Sequence, residues 1–207
     1  MNSCLKYLLA FLIVVDSFDG IAQVRTGQMV GFNFSNMELS AGGSPIKAEG
    51  ATGIHYGLIF SIPANDNFAF QPGIIFSAKG SSFMLDTLDI SLSPIYIEIP
   101  LNAVLSFGGD AYGVTFFTGT YFSYGIGGTK IVSGGEAKEI AFGSGDSKDL
   151  RHFDIGLNFG AGFNIKRFLI SAQYGLGLLN LSPSESNSTE MQNRIIGISL
   201  TTLFAGR

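Results

Sequence analysis

The chain has 207 residues, of which 46% are hydrophobic and only 14% are charged, and its mean hydropathy is +0.34. Ordinary soluble domains carry about 25% charged residues. Yet beyond the first twenty or so residues there is no run of about 18 apolar residues, the length that a transmembrane helix needs. The net charge of −4, without a basic block, argues against nucleic-acid binding. Two classes remain: a soluble protein with a large apolar core, and a barrel whose apolar surface is spread over alternate residues.

The N-terminus has the pattern of a secretory signal peptide. Lys6 supplies the positive charge, residues 7–15 are an apolar stretch, and Gly20-Ile-Ala22 offers small residues at a cleavage site. A short membrane anchor is the alternative, but nine apolar residues are too few to cross a bilayer as a helix. We therefore expect a signal peptide over residues 1–22, cleavage before Gln23 and one barrel domain over residues 23–207. Cys4 would leave with the peptide.

The rest of the chain alternates in residue type with the period of a β-strand. From Phe153 to Ile165 every odd position is apolar and every even position is polar or glycine, which a helical period of 3.6 cannot produce. In chain order the same alternation predicts strands over residues 24–36, 54–62, 68–76, 95–105, 114–126, 153–165, 168–178 and 196–204. Eight strands of this length match the roughly 10 residues that a tilted transmembrane strand requires.

The predicted links between these strands are alternately long and short. The short links are 63–67, 108–111 and 166–167, and the long ones are 37–50, 80–88, 127–150 and 182–192. Tight periplasmic turns and longer external loops are typical of outer-membrane barrels. A soluble up-and-down barrel has an apolar interior, whereas the inward face here is polar. The sequence thus predicts an all-β fold, an eight-stranded antiparallel up-and-down transmembrane β-barrel.

The two faces of the predicted strands suit a packed lumen and a lipid-facing exterior. Small residues alternate inside with large ones, which fills a narrow barrel rather than leaving an open pore. The expected lumen set is Gly156, Gly160, Gly162, Gly175 and Gly177 beside Tyr96, Phe117 and Tyr121. Aromatic residues are expected at both membrane interfaces: Phe68, Tyr112, Phe116, Phe163, Phe168 and Phe204 on the periplasmic side, and Tyr56, Tyr124, Phe153 and Tyr174 on the other.

Inward histidines near the external end raise the possibility of catalysis at the rim. By strand parity His152 and Asp154 both point inward, His55 lies a few residues below the top of its strand, and Ser77 is within reach. Histidine with serine or a carboxylate is the constellation of hydrolases that act on lipid. Residues two apart on a strand are neighbours for many reasons, however. We favour structural hydrogen bonds in the lumen over a catalytic pair.

Glu98 is the carboxylate that most needs an explanation, since an inward charge at mid-barrel is costly unless it is paired. Lys79 is inward by parity but near the top, and Tyr96 is closer in sequence. We expect a packed polar network here. The sequence has no zinc-ligand spacing, phosphate loop or nucleophile elbow. We therefore predict no catalytic, metal or cofactor-binding residues and no cofactor.

Several segments also resemble a known family. They are Gly31-Phe-Asn-Phe-Ser-Asn36, Gln71-Pro-Gly-Ile-Ile-Phe-Ser-Ala-Lys-Gly80, Ile97-Glu-Ile-Pro-Leu-Asn102, Gly156-Leu-Asn-Phe-Gly-Ala-Gly162 and Ser171-Ala-Gln-Tyr-Gly-Leu-Gly177. Together they resemble the outer-membrane β-barrel domain family, whose members are commonly labelled porin family proteins. The resemblance implies the eight-stranded barrel and assigns little function. Such barrels usually end on an aromatic residue that the assembly machinery reads; here Phe204 is followed by Ala205-Gly206-Arg207.

The functional expectation is a monomeric barrel of the cell outer membrane, not an enzyme, with a structural or surface-interaction role. Its expected partners are outer-membrane lipids and the barrel-assembly machinery, with no nucleic acid. The long link 127–150 mixes charges with glycines, and we interpret it as a mobile, solvated loop that binds a surface partner or shields the rim. The alternatives are a lipid-modifying enzyme at the barrel rim and a narrow channel.

Overall fold

The computed structural model describes residues 24–85, 88–109, 112–183 and 189–204. Within these ranges the elements are all strands: β1 (Arg25–Ala41), β2 (Ser44–Ile46), β3 (Ala48–Pro63), β4 (Phe68–Ala78), β5 (Ser81–Leu85), β6 (Leu88–Gly108), β7 (Tyr112–Val132), β8 (Lys138–Glu139), β9 (Phe153–Ile165), β10 (Phe168–Gly177) and β11 (Thr189–Leu203). Among these residues there is no helix that is long and apolar enough to cross a membrane. The predicted signal peptide lies outside the described residues and stays a prediction.

Eight long strands close into a ring, which confirms the predicted fold. Strand β1 pairs antiparallel with β3 on one side and with β11 on the other. The ladder then runs through β4, β6, β7, β9 and β10 back to β11, each neighbour antiparallel. Closure gives the backbone of the eight strands hydrogen-bonding neighbours on both sides, which is what a lipid environment demands.

The predicted short links 63–67 and 166–167 are confirmed as tight turns at one end of the barrel, and part of the third, 108–111, lies outside the described residues. Residues 64–67 connect β3 to β4, where the Asn65 side chain accepts a hydrogen bond from the backbone N–H of Phe68 at 2.8 Å. Lys166 and Arg167 alone connect β9 to β10. Lys166 takes a left-handed backbone conformation (φ 54°), which closes this two-residue turn. β1 begins at Arg25 and β11 ends at Leu203, both at this same periplasmic end.

Strands continue through much of what the sequence predicted to be long loops. β1 runs to Ala41 rather than Asn36, and β2 folds back onto it. β5 forms a hairpin with β6 and also pairs with the start of β3. The predicted links 37–50 and 80–88 are therefore wrong as loops. Above the lipid level the outward positions become polar, as at Glu38, so the apolar alternation ends although backbone pairing continues.

An apolar cluster closes the external end of the lumen, and we call it the external cap. Its buried members come from strands and links alike: Met37, Leu39, Phe83, Leu92, Ile140, Leu150, Leu181 and Met191. Ile140 and Leu150 belong to the link after β7, where β8 pairs with β7 and Phe142 bridges to Leu150. The interpretation of this link as a solvated loop is therefore wrong for these two residues, which lie under its charged surface.

The predicted faces are confirmed across the barrel wall. Phe32 is 55% exposed and its neighbour Asn33 only 2%, and the contrast recurs along the long strands. Except for Phe68, which is partly buried, the residues predicted for the two aromatic girdles are exposed. In the lumen a Cβ on Gly156 would approach the Tyr121 ring to 2.4 Å, and one on Gly160 would approach the Phe117 ring to 2.1 Å. Small and large residues thus interlock inside, as predicted.

Cysteine labelling on β9 tests this assignment of faces. The chain from Gln23 onward has no cysteine of its own. Phe159 is 48% exposed on the outer face and Asn158 is 3% exposed in the lumen. A hydrophobic maleimide delivered from the bilayer should modify the Phe159→Cys variant and spare the Asn158→Cys variant, read by mass spectrometry. Labelling of the Asn158→Cys variant alone would show that Asn158 faces the lipid and that the two faces are assigned the wrong way round.

Candidate functional site

One polar layer of the barrel interior lies between two apolar clusters. The external cap covers it on one side. On the other side Met29, Ile59 and Ile75 pack together, with Leu203 against them. Between these clusters the lumen carries a charged group and a histidine group, both almost fully buried. This polar layer is the candidate functional site, because buried charge in a membrane barrel is costly and calls for a reason.

Lys79 is at the centre of the charged group. It directly follows β4, and its ammonium reaches Glu98 Oε2 at 2.9 Å and lies 3.9 Å from Asp154 Oδ2. The lysine side chain is fully buried. Its Nζ has no well-directed hydrogen bond among the described residues, so the contact with Glu98 is a close ion pair. Nζ also lies over the Tyr96 and Tyr121 rings, 4.9 and 4.8 Å from their centroids, where the ring quadrupoles attract a cation.

Hydrogen bonds hold the two carboxylates around this lysine. Ser123 Oγ donates to Glu98 Oε2 at 3.0 Å. Asp154 Oδ2 accepts from the Asn193 amide at 2.8 Å and from the Tyr121 hydroxyl at 3.2 Å. The group has two carboxylates for one ammonium, so electrostatic balance depends on these neutral donors. The expected polar network at Glu98 is therefore present, and Lys79 is its partner.

The histidine group joins the strands at which the barrel closes. His55 Nδ1 lies 2.8 Å from Asn33 Oδ1, and His55 Nε2 lies 2.8 Å from Ser199 Oγ. An amide oxygen only accepts, so Nδ1 carries the proton and Nε2 accepts from the serine hydroxyl. Asn33 Nδ2 donates in turn to Ser77 Oγ and to the Ala78 carbonyl, each at 2.9 Å. Asn33 is on β1, His55 on β3 and Ser199 on β11.

The order Ser199, His55, Asn33 is that of a nucleophile, a base and an orienting group. All three side chains are nearly inaccessible, with exposures of 3%, 3% and 2%. The cavity beside His55 and Asn33 has a volume of about 10 Å³, at the lower limit for one water molecule. An acyl chain has no room there. The geometry therefore favours a structural cross-link between strands.

The structure brings together most of the residues that the sequence singled out. Ser77 meets His55 through Asn33, and Glu98 meets Asp154 through Lys79. The inward placement of His152 is wrong. β9 begins only at Phe153, so strand parity does not extend to His152.

The His152 ring lies instead between two aromatic rings beside the start of β9. Its centroid is 4.7 Å from that of Tyr124 and 5.2 Å from that of Phe142. Sequence reasoning also missed Asn33, Ser199 and Asn193 as members of the network. Parity placed Asn33 and Ser199 inward, whereas Asn193 precedes the predicted strand 196–204. Only the register of distant strands shows which side chains meet.

Comparison with known proteins places the barrel among outer-membrane proteins. A family model described as outer membrane protein beta-barrel domain matches residues 21–182. The fold is similar to that of the outer membrane protein OprG from Pseudomonas aeruginosa, with 12% identity, a TM-score of 0.50, and coverage of 90% of this chain and 98% of that chain. No curated protein matches the sequence.

Two further solved structures are similar at lower scores. Neisserial surface protein A has 12% identity and a TM-score of 0.45, covering 86% of this chain and 97% of that one. The attachment invasion locus protein Ail of Yersinia pestis, solved with the heparin analogue sucrose octasulfate, has 12% identity and a TM-score of 0.42, covering 86% of this chain and 99% of that one.

Removal of Lys79 should destabilise the barrel strongly. Lys79→Met leaves Glu98 and Asp154 buried without their cation, and loss of one partner of a buried pair costs about 3–5 kcal/mol. Urea unfolding in lipid, followed by heat-dependent migration on gels, measures the loss. Lys47→Met, at an exposed position, is the control and should change stability little. Combining Lys79→Met with Glu98→Gln and Asp154→Asn should recover much of the stability. Equal stability of the Lys79→Met variant and the wild type would contradict the assigned role of this ion pair.

Proposed function

Because this chain belongs to the outer membrane protein β-barrel domain family, we propose that it acts as a closed barrel with a structural or surface-interaction role. It lies in the cell outer membrane. In this proposal the lumen stabilises the barrel and conducts nothing, and the external end provides the surface that meets partners. Outer-membrane lipids surround the wall, the assembly machinery inserts the chain, and the barrel works as a monomer.

The packed lumen is the observation that supports this proposal most directly. An ion crossing the barrel would have to pass the external cap, then the Lys79 ion pair, then the cluster around Ile59. The residual cavity between them is about 10 Å³. Eight-stranded barrels have interiors that side chains just fill, which agrees with this arrangement.

The external end supports the surface-interaction part of the proposal. β2, β5 and β8 pair with the long strands, so the links there are held by backbone hydrogen bonds and by the buried external cap. The Lys130 ammonium forms an ion pair with Asp149, which ties β7 to the segment after β8. A surface ordered in this way loses little conformational entropy when a partner binds.

Electrical recording tests the closed lumen. Purified protein in planar bilayers should give no unitary conductance steps, because the apolar clusters and the buried ion pair block the path. An open porin in the same bilayer is the positive control. Steps whose frequency rises with the amount of wild-type protein would contradict the proposal and support a narrow channel.

A lipid-modifying enzyme is the second candidate, favoured only by the Ser199, His55 and Asn33 contacts. We expect a fluorophosphonate probe to leave Ser199 unmodified, as judged by mass spectrometry, since the serine is buried beside a cavity too small for an acyl group. Ser199→Ala should instead lower stability by about 1–3 kcal/mol, because His55 Nε2 loses its donor. Modification of wild-type protein that disappears in the Ser199→Ala variant would support the enzyme.

A further inference from the structure

A second, larger cavity lies at the external end of the barrel, outside the lumen site. Its volume is about 300 Å³, the size at which small-molecule pockets begin. Its lining comes from β7, from β8 and from the segment that follows β8: Ile126, Gly127, Gly128, Glu139, Ile140, Phe142 and His152. Binding of a ligand in this cavity does not depend on the proposed structural or surface-interaction role.

The cavity exists because two neighbouring strands reach different heights. Tyr124 of β7 pairs with Phe153, the first residue of β9, and β7 then continues beyond β9 to Val132. Above that pair, this edge of β7 is covered by the short pairing with β8 and by two further backbone hydrogen bonds. Gly125 N donates to the His152 carbonyl at 2.8 Å, and Ile140 N donates to the Gly128 carbonyl at 3.1 Å. Residues 126–127 lie between these two bonds and line the opening.

His152, which lines this cavity, carries one free hydrogen-bond acceptor among its described contacts. Its Nδ1 lies 2.9 Å from the Gly125 carbonyl oxygen. A carbonyl can only accept, so Nδ1 carries the proton and Nε2 of the neutral ring is left as an acceptor. The ring is held between Tyr124 and Phe142, which fixes the direction of Nε2.

Glu139 provides the second acceptor and the only formal charge among the lining residues that the structure describes. It is exposed on the two-residue strand β8. The remaining lining side chains, Ile126, Ile140 and Phe142, are apolar. The cavity therefore combines an apolar wall with a carboxylate and an imidazole acceptor, and none of its described lining residues is cationic.

The position of the cavity restricts its ligand further. Tyr124 and Phe153, directly below it, are exposed outward at 42% and 65% and belong to the external aromatic girdle. Aromatic girdles mark the level at which lipid meets water. A ligand at this height has an apolar part and a polar head.

We propose that this cavity binds primary amines that carry an apolar chain. An ammonium group has three donors and no acceptor, which complements Glu139 and His152 Nε2. The chain packs against Ile126 and Phe142. The amine is a free alkylamine or the amino headgroup of a lipid, since both present this chemistry.

The two histidines allow a direct test by NMR. The protein, labelled with 15N-histidine, is placed in phosphatidylcholine nanodiscs and titrated with octylamine, octanol or octanoate. Octylamine should shift the His152 ring signals saturably and leave His55, buried in the lumen, unchanged. Octanol should bind more weakly and octanoate should not bind. Shifts of both histidines, or an equal response to octanoate, would overturn the proposal.

Matched variants separate binding in the cavity from partitioning into the membrane. Glu139→Gln should weaken octylamine binding about two- to fivefold, the range expected for one exposed ion pair, whereas Glu136→Gln on the same link should not. A Cβ on Gly127 or on Gly109 would meet no atom within 4 Å. Gly127→Leu should abolish the His152 shift by filling the cavity, and Gly109→Leu, at a periplasmic turn, should preserve it. Unchanged binding in both the Glu139→Gln and the Gly127→Leu variants would refute the site.

Nanodiscs that contain phosphatidylethanolamine distinguish the two sources of the amine. A His152 shift without added octylamine, lost in the Gly127→Leu variant, would identify the lipid headgroup. A shift that appears only on addition of octylamine would identify the free amine.

Discussion

The pairing of β1 with both β3 and β11 is the constraint on which the rest of the structure depends. Lipid cannot satisfy backbone N–H and C=O groups, so the sheet must have no open edge within the membrane. This pairing joins the first and last strands of the barrel, and we call the junction of β3, β1 and β11 the seam. Side chains in the lumen reinforce it. The hydrogen bonds from His55 to Asn33 and to Ser199 connect all three strands at the seam. Ser199, His55 and Asn33 are arranged like a catalytic triad, but the cavity beside them is only about 10 Å³. Their arrangement is explained by their position, because they connect the three strands at which the barrel closes.

A ring of only eight strands also determines what the lumen can contain. The inner radius is so small that a ring such as that of Tyr121 fits beside glycine, here Gly156. Water is largely excluded, so the charges of Lys79, Glu98 and Asp154 must be balanced by one another and by neutral donors. Replacing such a network with apolar residues can be neutral for stability. The stabilising role of this network is therefore measured most clearly by removing one member, as in the Lys79→Met variant.

Much of this fold was predictable because a closed membrane barrel imposes a period of two on every strand. The faces, the short turns and the inward Glu98 follow from that period alone. The site was predictable only in part. Partners such as His55 and Ser199 are 144 residues apart and meet through register, which alternation does not encode. His152 was misplaced because parity was counted into a residue before β9. Ile140 and Leu150 are isolated apolar residues in a polar link, without a period that would reveal their burial.

The two ends of the barrel differ for the same physical reason. At the periplasmic end turns such as Lys166–Arg167 follow the strands directly, so neighbouring strands end together and leave no gap. Outside the membrane water can satisfy the backbone, and neighbouring strands are free to end at different heights. β7 therefore continues past β9, and its uncovered edge is partly closed by β8 and the residues after it. The barrel wall is continuous where the membrane requires complete pairing, and the external cavity lies above Tyr124, where that requirement ends. In this barrel a ligand site is thus expected at the margin where regular pairing stops, rather than along the axis of the ring.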